Sequence, residues 1–127
     1  YSKTQVIEGP HVSISFGLDG GGGIRLRRVN GSSQLVVTTF SQLGWCFFES
    51  AFDRNAGELR FHKVRSSVGS GVTYEDFFLS ITDEQLNVMS KKGLDVRIYG
   101  TNRTINVELP AIYVQGFLKR ASEPRKG

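Results

Sequence analysis

The stretch LDVRIYGTNRTINVEL, residues 94–109, alternates apolar and polar side chains on both sides of a turn. Leu94, Val96 and Ile98 share one side of the first arm, and Asp95, Arg97 and Tyr99 share the other. Gly100 to Arg103 reverses the chain, after which Ile105, Val107 and Leu109 alternate with Asn106 and Glu108. A period of two marks a half-buried strand, and two such runs joined by a short turn make a hairpin. The same pattern recurs upstream. Val72 to Ile81 reads as a long strand with Thr73, Glu75, Phe77, Leu79 and Ile81 on one face. Leu59 to Val64 pairs back on the aromatic run Gly44 to Phe52 across a turn at residues 53–57. Ile24 and Leu26 alternate with Arg25 and Arg27, and the chain returns as Leu35 to Phe40 after Asn30-Gly31, a pair suited to the positive φ of tight hairpin turns. His11 to Leu18 alternates in the same way. Gly20 to Gly23 reads as a mobile loop that breaks the strands apart, and Ser66 to Gly71 as a Ser/Gly loop.

Two segments depart from the period of two. Thr82-Asp83-Glu84-Gln85 is a capping-box start for a short helix near 82–92, with Lys91 and Lys92 at the end that favours cations. Pro110 opens a C-terminal helix near 110–121, where Tyr113 and Phe117, like Val114 and Leu118, are apolar at a spacing of four. About eight strands joined mostly by hairpin turns predict a mainly β fold, an antiparallel β-sandwich or open barrel carrying the two helices. The 127 residues fit one domain, residues 1–121, followed by a basic flexible tail, 122–127.

Cys46 is the only cysteine, so no intrachain disulfide forms. Set among Trp45, Phe47 and Phe48, it reads as a buried, inert thiol, and Trp45 and Phe47 are expected in the core beside it. The net charge of +4 is uneven: Lys119, Arg120, Arg125 and Lys126 against Glu123 give the last nine residues +3. No apolar run reaches the roughly twenty residues of a spanning helix. The chain begins at Tyr1 rather than Met, which leaves room for an export signal or lipid anchor ahead of it.

No catalytic, cofactor or metal motif is found. Gly20 to Gly23 lacks the following helix that a phosphate cradle needs. His11 and His62 lack the acidic neighbours of a metal site. Glu75 is the charged residue that matters most: a carboxylate on an apolar strand face must be paired or hydrogen-bonded. It is expected to meet an Arg side chain or a pair of loop N–H groups, or else to be the polar anchor of a pocket. Arg25, Arg27 and Arg28, with Lys119, Arg120, Arg125 and Lys126, are the candidate basic surface.

Trp45, Phe48, Ser50-Ala51, Asp53 and Gly57, then Tyr74-Glu75, Gly93-Leu94 and Tyr99-Gly100, lead to Leu109-Pro110-Ala111 and Tyr113 to Leu118. This stretch, 44–118, resembles uncharacterised bacterial exported or lipoprotein-like small domains. The resemblance implies a β-rich fold and a place in the bacterial periplasm or cell envelope, and it carries no active site over. The expected function is a non-catalytic interaction or structural module whose partner is a protein and which uses no cofactor. One alternative is a small-ligand-binding protein or enzyme with a pocket near Glu75. A second is a domain that binds nucleic acid or another polyanion through Arg25, Arg27, Arg28 and the tail.

Overall fold

The computed structural model describes residues 6–15 and 20–122. In chain order the elements are β1 (Val6–Glu8), β2 (Val12–Ser15), β3 (Gly20–Val29), β4 (Ser32–Ser41), β5 (Phe48–Asp53), β6 (Gly57–Gly69), β7 (Val72–Ile81), α1 (Asp83–Lys92), β8 (Leu94–Gly100), β9 (Thr104–Leu109) and α2 (Ala111–Ser122). The strands form one antiparallel sheet in the order β1-β3-β4-β7-β6-β5-β8-β9, with β2 continuing the edge beside β3. The sheet curls into a half-barrel, so the open barrel is the form the mainly β expectation takes. Leu86 and Met89 of α1, with Val114 and Phe117 of α2, join the apolar side of the strands in one core cluster.

Alternation places the core. Ile24 and Leu26 on β3, Leu35 and Val37 on β4, and Phe77 and Leu79 on β7 are all buried on the inner face. Phe77 stacks on Phe61 of β6 with ring centres 4.6 Å apart and meets Phe48 of β5 at 5.5 Å. Truncating a Phe of this kind costs about 3–5 kcal/mol.

The hairpin turns follow local chemistry. Asn30 and Gly31 join β3 to β4 with φ of 50° and 86°. Ser70 and Gly71 join β6 to β7 with φ of 53° and 77°. The expected Ser/Gly loop at 66–71 is therefore a two-residue turn on two long strands, because backbone pairing from Arg65↔Asp76 to Gly69↔Val72 satisfies its polar groups. The glycine run also differs from its reading as a mobile loop. Gly20 to Gly23 are the first residues of β3, paired on one side with Thr38 to Ser41. On the other, Gly21 to Gly23 meet Ser13 to Ser15. A Cβ on Gly22 would lie 1.8 Å from the Thr38 carbonyl oxygen. These glycines are chosen for close approach rather than for motion.

Both helices start as the sequence predicts. Thr82 Oγ1 accepts the Gln85 N–H and Gln85 Oε1 accepts the Thr82 N–H. The Val114 N–H donates to Pro110 O at the start of α2. Helix α2 reaches from the β9 side to the β1 edge. The Tyr113 hydroxyl donates to Pro10 O and accepts the Leu26 N–H at 3.4 Å, while Arg120 donates to Glu8 O at 3.2 Å. Residue 122 is the last of α2, and the rest of the expected tail lies outside the described residues.

Burial raises the Tyr113 hydroxyl above its ordinary pKa of 10.0, against smaller lowering effects from the Leu26 N–H and the Arg25 charge. A raised folded-state value means that its contribution to stability is full below pH 10.0 and is lost as pH rises towards the folded value. Chemical denaturation from pH 8 to 11 should show wild type losing stability more steeply above about pH 10 than Tyr113→Phe. Parallel curves for the two proteins would remove this role.

Candidate functional site

Between β4 and β5 the chain crosses one end of the half-barrel, and Glu75 of β7 governs that crossing. Its carboxylate is buried on the inner face. Oε2 accepts the Cys46 N–H at 2.9 Å and Oε1 accepts the Phe48 N–H at 3.3 Å. This is the pair of loop N–H groups expected from the sequence. With both oxygens so engaged, the charge is met by backbone dipoles. Glu75 does not line the surface groove over Phe52 and Tyr99 described below.

The rest of the loop is held as firmly. Thr73 donates its hydroxyl to Gly44 O at 3.0 Å and to Ser41 O at 3.2 Å. The Asn102 side chain donates to Trp45 O at 2.8 Å, and its N–H donates to Cys46 O at 3.1 Å. The Thr101 N–H donates to Phe47 O at 3.2 Å. Gly100 sits beneath the loop, where a Cβ would come within 2.5 Å of Cys46 O. Thus side chains and turn residues from two other hairpins fix five consecutive residues, the loop 44–47 and the first residue of β5.

This arrangement overturns part of the expected core. Cys46 is buried, at 3 % exposure. Phe47 is 45 % exposed and Trp45 half-buried, so neither is the core residue expected. The strand starts only at Phe48; residues 44–47 are irregular, and simple alternation does not apply to them. Phe47 holds a φ of 54°. The left-handed region is uncommon for a bulky residue and costs roughly 1–2 kcal/mol. Its ring stacks on Trp45 with centres 6.1 Å apart. The two anchored N–H groups on either side, Cys46 and Phe48, are what force Phe47 outward.

A second buried carboxylate, Asp53, shows in the sequence only as part of a turn. Asp53 Oδ2 accepts the N–H groups of Asn55 and Ala56 at 2.9 and 2.8 Å, and Oδ1 accepts the Asp95 N–H at 2.9 Å. It ties the β5–β6 turn to β8. The signal available was an Asp at the head of a turn, which favours this local bonding. Beside it, a shallow groove of about 470 Å³ lies over Phe52, Arg97, Tyr99 and Asn106, with Phe52 and Tyr99 edge to face at 5.9 Å.

The candidate cations separate. Arg25 and Arg27 lie on the outer face of β3, the former 3.6 Å from Glu8 and the latter bonded to Gln34. Arg28 points the other way, to Ser33 Oγ at 3.1 Å and Asp83 at 3.3 Å. Lys119 and Arg120 are exposed on α2, across the molecule's edge; Arg125 and Lys126 lie outside the described residues. His62 stacks on Phe78 at 4.6 Å with its Nε2 3.0 Å from Ser80 Oγ, and His11 lies exposed over Gly23. Among the described residues, no three of His, Cys, Asp and Glu gather to hold a metal, and no helix is long and apolar enough to cross a membrane.

The chain matches no family model, and no curated protein or solved structure is significantly similar to it.

Two substitutions separate the anchor from the residue it presents. Glu75→Gln keeps one acceptor but turns an amide NH₂ towards the other N–H, and should destabilise by roughly 1–3 kcal/mol. Phe47→Gly relieves the left-handed strain, and should leave stability unchanged or raise it by up to about 1 kcal/mol. A loss of several kcal/mol for Phe47→Gly in urea denaturation would put Phe47 back in the core.

Proposed function

We propose that this domain is a non-catalytic interaction module of a bacterial cell envelope that presents the Trp45–Phe47 loop to a protein partner. One observation carries the reading: an exposed aromatic side chain is held in a strained backbone conformation by a buried carboxylate. Strain of this kind persists only where surrounding structure over-determines it, and it clusters at sites of function. Aromatic side chains dominate the energetics of protein interfaces, and fixing them before contact lowers the entropy lost on binding. Trp45 and Phe47 supply the rings; Glu75, Thr73 and Asn102 supply the fixing. Leu43, 76 % exposed, extends the apolar surface of the same loop. The envelope setting rests on the likeness of residues 44–118 to bacterial exported domains.

A photoreactive phenylalanine analogue placed at position 47 tests the reading in an envelope extract of the native host. The same analogue at Ile112, exposed on α2, is the control. We expect one discrete protein adduct from position 47 and none from 112. Unlabelled wild type should compete for it, and a Trp45→Ser protein of unchanged denaturation midpoint should compete at least tenfold less well. Equal labelling from both positions, or full competition by Trp45→Ser, would sink the proposal.

A further inference from the structure

The outer face of strands β3, β4, β7 and β6 carries a pattern that the interaction loop does not use. Strand register sets its side chains in four rows across the sheet. Arg27, Gln34, Ser80 and Arg60 form one row. Arg25, Val36, Phe78 and His62 form the next, then Gly23, Thr38, Asp76 and Arg65, then Gly21, Phe40, Tyr74 and Ser67. Arginines stand at both margins, Arg25 and Arg27 on β3 and Arg60 and Arg65 on β6. Rings run between these margins: Phe78 on β7 stacks on His62 of β6, each covering one face of the other, and Phe40 lies beside Tyr74, 40 % and 45 % exposed.

The charge of this face is only partly cancelled. Glu8 lies 3.6 Å from Arg25 and Asp76 lies 3.3 Å from Arg65. Arg27 is braced by a neutral partner, Gln34, and its register partner on β1 is the same Glu8 that pairs with Arg25. Arg60 is exposed and in no ion pair among the described residues, although Glu49 and Glu58 line the same groove. Arg25 Nε is the one buried side-chain nitrogen or oxygen among them without a hydrogen-bond acceptor. The opposite end of the sheet differs: around Phe52 and Tyr99, Arg54 and Arg97 are offset by Asp95 and Glu108.

We propose that this face binds single-stranded nucleic acid. Such a ligand needs cations that follow its phosphates and aromatic faces on which its bases stack, with no hydrogen-bond code required. Both are present in neighbouring rows of one surface. Adjacent strands stand about 4.8 Å apart, so the row from Arg27 to Arg60 spans roughly 14 Å, room for a few nucleotides. The row of Phe78 and His62 lies directly alongside it. Charge alone would not call for exposed rings, and the planar bases of a single strand stack on them whatever the sequence, which is why the combination favours nucleic acid. Alternation alone already sets Phe78 on the face opposite Phe77, but the rows themselves appear only with the pairing of four strands.

Fluorescence anisotropy with a labelled twelve-residue oligo(dT) and its oligo(U) counterpart tests this, with heparin as a ligand that has charge and no bases. Wild type should bind the oligonucleotides at low salt, with affinity falling as salt rises at a log–log slope of about −3, as for four phosphate contacts. Arg27→Glu with Arg60→Glu should lose both oligonucleotide and heparin binding by at least tenfold. Phe78→Ala should lose about tenfold for the oligonucleotides and nothing for heparin. Tyr74→Ser, at an exposed position, gives the same comparison if Phe78→Ala does not fold. Absence of oligonucleotide binding at low salt would overturn the proposal. So would a fall in heparin binding equal to that in oligonucleotide binding for the ring variants, or oligonucleotide binding that the rings do not affect, either of which would leave a charge-only surface.

Discussion

A buried carboxylate that accepts two backbone N–H groups on either side of one residue fixes the most unusual feature of this molecule. Glu75 sits on an apolar strand face, where a lone charge would be strongly disfavoured. The loop satisfies the carboxylate, and the carboxylate in turn holds the loop: without it, the Cys46 and Phe48 N–H groups would be buried with no equivalent acceptor. The left-handed turn at Phe47 follows from that exchange. So does the course of the chain from β4 to β5 over the end of the half-barrel, which lets β5 pair with β6 and β8.

The same economy of buried acceptors recurs at Asp53, whose two oxygens gather three N–H groups from a turn and from β8. Together the two carboxylates tie β5 to the rest of the sheet at both of its ends. Helix α2 performs the corresponding task at the far side, where Tyr113 and Arg120 bond backbone carbonyls of the β1–β2 edge. A curled sheet with two edges is thus held in shape by a few polar contacts placed where regular pairing stops, while the apolar cluster fills the space between the strands and helices.

Much of this was legible in the sequence. Alternation in 72–81 and 94–109 assigned the inner face correctly, since regular strands leave side chains no other choice. Asn30-Gly31, the Thr82–Gln85 capping box and Pro110 marked their elements because each has a local mechanism. Glu75 stood out for a physical reason, and one of its two expected partners is the one found. The failures are equally specific. Trp45 and Phe47 fall on one face of a supposed strand beside Cys46, which points to the core, but residues 44–47 belong to no strand, and their course is set by an acceptor 29 and 27 residues from the two amides it holds. Gly20 to Gly23 look flexible in the sequence because it shows neither Thr38 nor His11 lying against them. The outer rows of rings and arginines depend on the register of four strands, which one sequence does not print.

Amide hydrogen exchange tests the central claim most directly. If Glu75 anchors the loop, the Cys46 and Phe48 amides exchange in wild type as slowly as those of β7, through near-global opening. In Glu75→Gln at least one of the two should then exchange orders of magnitude faster, while Phe77 and Leu79 keep most of their protection. Fast exchange of both amides in the wild-type protein, or unchanged protection of both in the variant, would contradict the account.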